Sequence, residues 1–293
     1  MNHTDITFIG HMAVDELRLF GKEPYEAPGS AVLCGALAAA RIGQNVAVIT
    51  RMNRADVHLI KSMVDANIQI TVIDAPLTTR MVVIHHTANV DERDLIQTHS
   101  AGFFSLADIP DLNSDVVHLA GITDQEFNLP FIKSIKGRAS VLSADMQSFV
   151  RQVDVTTGNV TFGDVAQKKE IVALLDKVKL DVVEAKILTG SDDLSVAAQE
   201  ISSWGCNEVV ITRADGVLAR VNGVTLFEKF TNKNVSGRTG RGDTTFAAYL
   251  VWRKEHTVAE SLKFASALVS IKMETPGPFN GTLQDVLDRM RKQ

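Results

Sequence analysis

The chain has 293 residues, of which 45% are hydrophobic and 22% are charged, and its formal net charge is −5 at pH 7. This composition is typical of a globular protein with a large core and excludes a disordered chain. The net negative charge, with no basic run longer than Arg289–Lys292, also argues against a dedicated nucleic-acid binder.

Cysteine usage and the apolar stretches predict a cytoplasmic protein that does not enter a membrane. The two cysteines, Cys34 and Cys206, cannot form a disulfide framework and fit a reducing compartment. The first residues lack the basic and apolar regions of a secretory signal. The uncharged stretch 27–40 contains Pro28 and is too short to span a bilayer. We therefore expect small-molecule partners.

Short apolar runs rich in β-branched residues alternate with stretches of helical spacing along much of the chain. The predicted strands are 6–9, 46–50, 68–73, 116–119, 141–144, 182–183 and 209–212. The predicted helices are 31–42, 57–64, 165–178, 195–204, 243–254, 258–273 and 282–290. This alternation predicts an α/β fold in which helices cover both faces of a mainly parallel sheet.

The segment 78–104 breaks the alternation. Its strand-like pieces, 81–86 and 94–98, flank the polar run 89–93, and no helix follows them. This pattern predicts a β-hairpin. Such a hairpin either covers a ligand cleft or forms an ordinary antiparallel edge of the sheet, and the residues leave both interpretations open.

The segment 234–246 carries most of the chemical information. Gly237, Gly240 and Gly242 precede a helix that is predicted to begin near Asp243. Glycines leave backbone N–H groups accessible, and a helix N-terminus adds partial positive charge, so the segment predicts a phosphate site. Its spacing matches neither a Walker A loop nor a dinucleotide fingerprint. The alternative is a glycine-rich turn in which Asp243 caps the helix.

The run Thr239-Gly240-Arg241-Gly242-Asp243 resembles the D-T-x-G-A-G-D signature of the ribokinase-like (PfkB) sugar kinase family. The resemblance implies that the backbone of Gly240, Arg241 and Gly242 forms an anion hole and that Asp243 is the base for the acceptor hydroxyl. That chemistry is sensible, because phosphoryl transfer needs positioning, charge stabilisation and one carboxylate near the attacking oxygen.

The family resemblance also implies a fold. The implied fold is a single ribokinase-like domain over residues 1–293. This domain is an α/β three-layer sandwich with a mainly parallel central sheet and a small β-lid. The lid segments are expected near 12–27 and 78–104. Since family lids often pair edge to edge, a homodimer through the lid is a further expectation.

On the acceptor side, Gly10-x-x-x-x-Asp15 resembles the family's G-x-x-x-x-D, whose Asp binds sugar hydroxyls. The run 29–34, followed by 41–43, resembles G-G-x-x-x-N and A-R-L-G, with Cys34 in place of the Asn. The acceptor contacts that the resemblance implies come from Asp15, Gly29, Ser30 and Cys34. Asp145-Met146-Gln147 is similar to cyclitol-kinase branches and adds Gln147, although a plain strand-ending turn is the simpler explanation.

On the donor side, Asp181-Val182-Val183-Glu184 resembles N-x-x-E, whose Glu organises magnesium and its waters. Asp181 replaces the Asn and is expected to serve the same hydrated metal. Thr212 and Gly216 resemble the strand and turn that border the nucleotide. By the same resemblance, Thr239 and Gly277 lie on the nucleotide side.

Two departures from the signature affect the donor side. Gly237-Arg238 replaces the leading Asp-Thr, a region that helps to hold a monovalent cation in many relatives, which puts potassium activation in doubt. Arg241 replaces the signature Ala and adds a cation beside the phosphate path.

These observations predict an ATP- and Mg²⁺-dependent kinase that transfers the γ-phosphoryl group to a hydroxyl of a small sugar or cyclitol. One alternative is a nucleoside kinase, which needs an aromatic clamp; the candidates are Phe20, Tyr25, Phe103 and Phe104. The other is a catalytically idle relative that binds a sugar, against which the retained Asp243 and glycines argue.

Overall fold

Fifteen β-strands and ten α-helices make up most of residues 2–87 and 93–292, the part of the chain that the computed structural model describes. The strands are β1 (Thr4–Ile9), β2 (Ala13–Arg18), β3 (Tyr25–Gly29), β4 (Val46–Met52), β5 (Gln69–Asp74), β6 (Thr79–Ile84), β7 (Asp94–His99), β8 (Ser114–Leu119), β9 (Val141–Asp145), β10 (Arg151–Val153), β11 (Val160–Phe162), β12 (Lys177–Asp181), β13 (Glu208–Thr212), β14 (Gly216–Val221) and β15 (Val224–Lys229).

The helices of the described residues are mostly short. The α-helices are α1 (Ala31–Arg41), α2 (Lys61–Asp65), α3 (Leu129–Lys136), α4 (Gln147–Val150), α5 (Lys168–Ala173), α6 (Val182–Thr189), α7 (Leu194–Ser203), α8 (Arg241–Trp252), α9 (Val258–Met273) and α10 (Leu283–Met290). Two 3₁₀ helices cover Arg54–Ile60 and Leu106–Asp108. Among the described residues, none of these helices has the length and apolar character that crossing a bilayer requires.

Nine strands form the central sheet in the order β15-β14-β13-β12-β9-β8-β1-β4-β5. The strands from β13 to β5 in this order pair in parallel, for example Ile6 of β1 with Val46 of β4 and Val116 of β8. The two remaining strands, β14 and β15, are antiparallel. Because parallel strands all run the same way, their carboxyl ends meet at one edge of the sheet.

Helices cover both faces of the central sheet, and alternate residues of each strand supply the two cores. In β1, Phe8 packs into one core, which includes Phe246 of α8 and Phe264 of α9. The next residue, Ile9, faces the opposite core, which includes Ile132 of α3. The predicted α/β fold with a mainly parallel, doubly covered sheet is therefore confirmed.

A second sheet of four strands, in the order β3-β2-β6-β7, corresponds to the segments that were expected to form a lid. Strands β2 and β6 are parallel, and the two outer pairs are antiparallel. Strands β6 and β7 form the hairpin that was predicted in 78–104; most of its polar turn lies outside the described residues. The small hairpin of β10 and β11 adjoins β7, where Gln97 N donates to Gly158 O at 2.7 Å. That contact joins the lid sheet to the main body.

Two sequence predictions in the middle of the chain were wrong. The predicted strand 182–183 is the start of helix α6, and the predicted helix 165–178 contains only the short α5 before β12 begins. The reason is local: Asp181 and Glu184 form a capping box that starts a helix directly after the strand. The antiparallel strands β14 and β15 were not predicted.

Candidate active site

The carboxyl edge of the parallel strands collects most of the predicted site residues. Asp145, Asp181 and Thr212 end β9, β12 and β13, and Gly10 follows β1. In the sheet, β1 lies between β4 and β8, so the chain first adds strands on one side of β1 and later reverses to the other side. Ligands of open α/β sheets bind at such a reversal, so the topology directs attention to this edge.

Helix α8 presents unpaired backbone donors at this edge. Its N-cap is Gly240 (φ +76°), and the helix begins at Arg241, two residues before the predicted start. The Arg241 N–H is used within the turn, since it donates to Arg238 O at 3.1 Å. Within the described residues, the N–H groups of Gly240, Gly242 and Asp243 have no acceptor. Three orphan donors at a helix N-terminus are suited to an anion.

The glycines of the loop are required by close packing as well as by conformation. A Cβ at Gly240 would overlap the Sγ of Cys34, and one at Gly242 would lie 3.0 Å from Lys179 Nζ. Cys34, in the buried helix α1, therefore packs against residues 237–242, which we call the anion loop. Burial raises the pKa of its thiol to about 12, and the nearby Asp243 carboxylate adds to the effect. The thiol is a neutral contact in this site.

The expected base, Asp243, lies in the first turn of α8, where the helix dipole favours a carboxylate. Gln147 lies beside it, with Nε2 3.5 Å from Asp243 Oδ1. The same amide nitrogen donates to Gly121 O at 2.8 Å, so the Gln147 side chain is held in place. Gln147 thus follows β9 as expected and contacts Asp243.

Asp15 reaches the site from the lid sheet. It lies in β2 between Ala27 of β3 and Met81 of β6. A Cβ at Gly29 would overlap the Asp15 carboxyl group, so the two expected acceptor residues are in contact. Burial raises the pKa of Asp15 to about 6, against the opposing charge of Arg151.

Ser30 has a structural task beside its expected acceptor role. Its hydroxyl caps α1 by accepting a hydrogen bond from Leu33 N at 3.1 Å, and it lies 3.5 Å from Met12 Sδ. A capping hydroxyl typically stabilises a helix by about 1 kcal/mol.

The expected metal residues share one capping box. Asp181 Oδ1 accepts from Glu184 N, and Glu184 Oε2 accepts from Asp181 N, both at 2.8 Å. Glu184 is fully buried, and its second oxygen, Oε1, has no hydrogen-bond partner in the described residues. Burial raises the pKa of Glu184 to about 8, with a further increase from Asp181. An orphaned carboxylate oxygen fits a hydrated Mg²⁺, which uses one or two carboxylates and keeps several waters.

Lys179 is the main site residue that sequence reasoning missed. It is buried in β12, with Nζ 2.8 Å from Asp145 Oδ2 and 4.0 Å from Glu184 Oε2. Burial by itself would lower the pKa of Lys179, but the carboxylates of Asp145 and Glu184 outweigh it and raise the pKa. The available signal was a lysine inside an alternating run that ends in Asp181. The mistaken helix over 165–178 and the mistaken strand 182–183 left Lys179 in neither predicted element.

Two arginines, Arg238 and Arg241, belong to the loop itself. Burial lowers the pKa of Arg241 to about 10, the neighbouring Arg238 adds to this effect, and Asp181 and Asp215 oppose it. The Arg241 guanidinium thus lies among charged groups of the site and is only partly exposed. An arginine in this place can pair with phosphate oxygens.

Two of the residues expected to border a nucleotide lie at the same loop, Thr212 beside it and Thr239 within it. Thr212 Oγ1 would be 3.7 Å from a Cβ at Gly242, and Thr239 directly precedes Gly240. Gly216 packs against Phe227, whose ring would overlap a Cβ there. Arg213 covers the same ring, 5.2 Å from its centroid. Gly277 lies in the connection between α9 and α10.

The sequence of the chain matches a described family over most of its length. Residues 18–284 match the family model described as pfkB family carbohydrate kinase. The chain belongs to this family. This pfkB family member is therefore a carbohydrate kinase, a phosphotransferase with an alcohol group as acceptor.

The chain is similar to several proteins of known activity or structure, among them these three. A cytidine kinase from Thermococcus kodakarensis is 23% identical over 258 residues, covering 84% of this chain and 87% of the relative. A pyrophosphate-dependent kinase in the ribokinase family, solved with a pyrophosphate analog and myo-inositol, is 30% identical (TM-score 0.88, covering 97% of this chain and 99% of the other). A double mutant of Vibrio cholerae fructokinase, bound to fructose, ADP and potassium, is 18% identical and shares the fold (TM-score 0.79, covering 99% and 100%). The predicted family and fold are confirmed.

Proposed function

We propose that this kinase transfers the terminal phosphoryl group of a polyphosphate donor to a hydroxyl of a small sugar or cyclitol, with Asp243 as the general base. One observation carries the proposal. The Asp243 carboxylate and three unpaired N–H donors stand together at the start of α8. A base for the attacking oxygen and an anion hole for the transferred group are thereby adjacent.

The residues support a sequence of roles in the reaction. Asp15 accepts a hydrogen bond from one hydroxyl of the sugar or cyclitol. Gln147 holds Asp243 beside the hydroxyl that reacts. Asp243 takes the proton of that hydroxyl while its oxygen forms a bond to the terminal phosphorus. The bond from phosphorus to the bridging donor oxygen breaks, and the leaving group departs as ADP or as phosphate. The N–H groups of Gly240 and Gly242 stabilise the transferred charge.

Asp181 and Glu184 would hold a magnesium ion together with its waters. When bound, Mg²⁺ neutralises charge on the donor phosphates. Lys179 is one of two fixed positive charges beside Glu184, the other being Arg151, whose Nη2 lies 4.0 Å from Glu184 Oε1; the ion pair with Asp145 leaves Lys179 next to both metal-site carboxylates. It limits the repulsion among these acids before a metal arrives.

For the acceptor, the residues favour a cyclitol or a sugar over a nucleoside. Phe104, one candidate for an aromatic clamp, is buried and stacks on Phe127 with ring centroids 5.4 Å apart. It is therefore part of the core. The other candidates, Phe20, Tyr25 and Phe103, are exposed. The similarity to a kinase solved with myo-inositol supports the cyclitol, while the similarity to a cytidine kinase keeps the nucleoside as a test case.

Two donors are candidates. ATP is the donor predicted from the sequence, and inorganic pyrophosphate is a second candidate that specific observations favour. Arg241 adds positive charge beside the anion loop, and Phe227 with Arg213 lies against Gly216, where the family resemblance predicts the nucleotide. The similarity to a pyrophosphate-dependent kinase at 30% identity supports the same choice. We therefore rank pyrophosphate first.

A donor-by-acceptor matrix tests the proposal. Purified protein with MgCl₂ is given ATP or pyrophosphate, each with myo-inositol, ribose, fructose or cytidine, and products are identified by ³¹P NMR. We expect a phosphorylated cyclitol or sugar, with pyrophosphate as the better donor. Phosphorylated cytidine alone would support the nucleoside kinase. If no pair reacts while calorimetry detects acceptor binding, the idle sugar-binding alternative replaces the proposal.

The acceptor KM is expected to depend on pH through Asp15. Its pKa of about 6 means that the carboxylate, the stronger hydrogen-bond acceptor, forms as the pH rises through this value. KM should therefore fall between roughly pH 5 and 7. Initial rates at several pH values measure this, and Asp15→Asn should give a higher KM without the inflection. A wild-type KM that is flat over this range would contradict the assignment.

The lid sheet is expected to close over the acceptor. Since β2 carries Asp15 and pairs with β6, a bound acceptor should steady the whole sheet. Closure would also exclude water from the reaction. Hydrogen exchange in 79–84 and 94–99 should slow on adding acceptor, with 283–290 as the unaffected control. Unchanged exchange at saturating acceptor would rule out this role.

A further inference from the structure

A buried ammonium group lies beneath the anion loop. Lys272, near the end of α9, is fully buried, and its Nζ donates hydrogen bonds to the carbonyl oxygens of Gly237 and Thr239. The same loop is attached to the end of α9 by Gly237 N, which donates to Met273 O at 2.8 Å. The loop that leads into α8 therefore rests on a lysine and on the C-terminus of a helix.

The hydrogen bonds of the Lys272 ammonium group are unusual for a buried charge, because they are accepted by peptide carbonyls and not by a carboxylate. Burial lowers the pKa of Lys272, while the Asp243 carboxylate favours its charged form. Backbone carbonyl oxygens are the groups that replace the hydration shell of potassium in proteins. Lys272 thus makes, from within the chain, the contacts that a dissociable monovalent cation would make.

The two hydrogen bonds to carbonyl oxygens also set the direction of backbone N–H groups on the other side of the loop. The described peptide bonds are all trans, and in a trans peptide the C=O and the next residue's N–H point in opposite directions. With the carbonyls of Gly237 and Thr239 directed at Lys272, the N–H groups of Arg238 and Gly240 are directed away from it. The Gly240 N–H is one of the unpaired donors of the anion hole.

We propose that Lys272 is a built-in cation that holds the anion loop in its phosphate-binding shape, so that this kinase needs no monovalent ion. Lys272 is a positioning residue, since it acts through the loop. The kinetic consequence rests on the proposed phosphoryl transfer, but ion binding and stability do not. Both can therefore be tested on the protein without substrate.

Two substitutions of Lys272 distinguish the effect of its positive charge from the effect of the volume that its side chain fills. Lys272→Ala leaves room for an ion between the two carbonyls, and Lys272→Met fills that room with an apolar chain. In tetramethylammonium buffer we expect both variants to melt at lower temperature than the wild type. We also expect kcat to fall by roughly 10–100-fold, the scale of misplaced catalytic groups. Adding KCl or NH₄Cl should raise the melting temperature and kcat of Lys272→Ala only.

The wild type and a neighbouring lysine serve as controls. The wild type and Lys263→Ala, altered on the same helix but away from the loop, should show the same rate and melting temperature with either ion. A wild type stimulated several-fold by KCl would overturn the proposal, as would Lys272→Ala with full activity in potassium-free buffer. Failure of KCl and NH₄Cl to stabilise folded Lys272→Ala would also overturn it. If neither variant folds, the ion response of the wild type decides.

Discussion

Asp243→Asn is expected to lower kcat by about 10²–10⁴-fold, the usual cost of removing a general base. The amide keeps the size of the side chain and can still accept from Gln147 Nε2, which lies 3.5 Å from Asp243 Oδ1. It cannot take the proton of an acceptor hydroxyl. The backbone donors of the loop are unchanged, so the affinity for the donor should change little.

Steady-state rates and donor titration by calorimetry measure these two effects separately. Asp288→Asn, which alters an exposed carboxylate on α10, is the matched control and should retain wild-type kinetics. Turnover of Asp243→Asn within a few-fold of the wild type would show that another group removes the proton. Loss of donor binding would instead assign Asp243 to the metal or phosphate site.

Arg241→Ala is expected to lower kcat by roughly 10–100-fold, with the acceptor KM little changed. An arginine finger can contribute about 10³–10⁵ in rate, but a loop already rich in N–H donors should depend on it less. The guanidinium lies among Arg238, Asp181 and Asp215, on the donor side of the site. A contact that strengthens in the transition state lowers kcat and kcat/KM together.

Arg241→Lys tests the geometry of the contact. It keeps the charge but loses the planar fork that binds phosphate oxygens at two points, so it should recover only part of the lost rate. Arg291→Ala, at an exposed position near the C-terminus, is the surface control. A wild-type kcat and donor KM in Arg241→Ala would mean that the side chain faces solvent and that only its backbone serves the loop.

Local patterns were enough to predict the fold class and the position of the loop. The alternation of apolar runs and helical spacing identified six of the strands that line the parallel sheet. Glycines before Asp243 predicted a helix N-terminus at this place, and α8 begins two residues before the predicted position. These features depend on neighbours in sequence, such as the backbone freedom of Gly240 at the N-cap of α8.

What the sequence by itself determined, then, was six strands of the parallel sheet and the glycine-rich loop before α8, because each depends on residues close together in the chain. Only the tertiary structure decided which distant groups complete the site. Lys179 pairs with Asp145, 34 residues away, and Lys272 supports carbonyls 35 and 33 residues earlier. A buried lysine has the same local pattern as an exposed one. Its role follows from burial and from the acceptors that surround it.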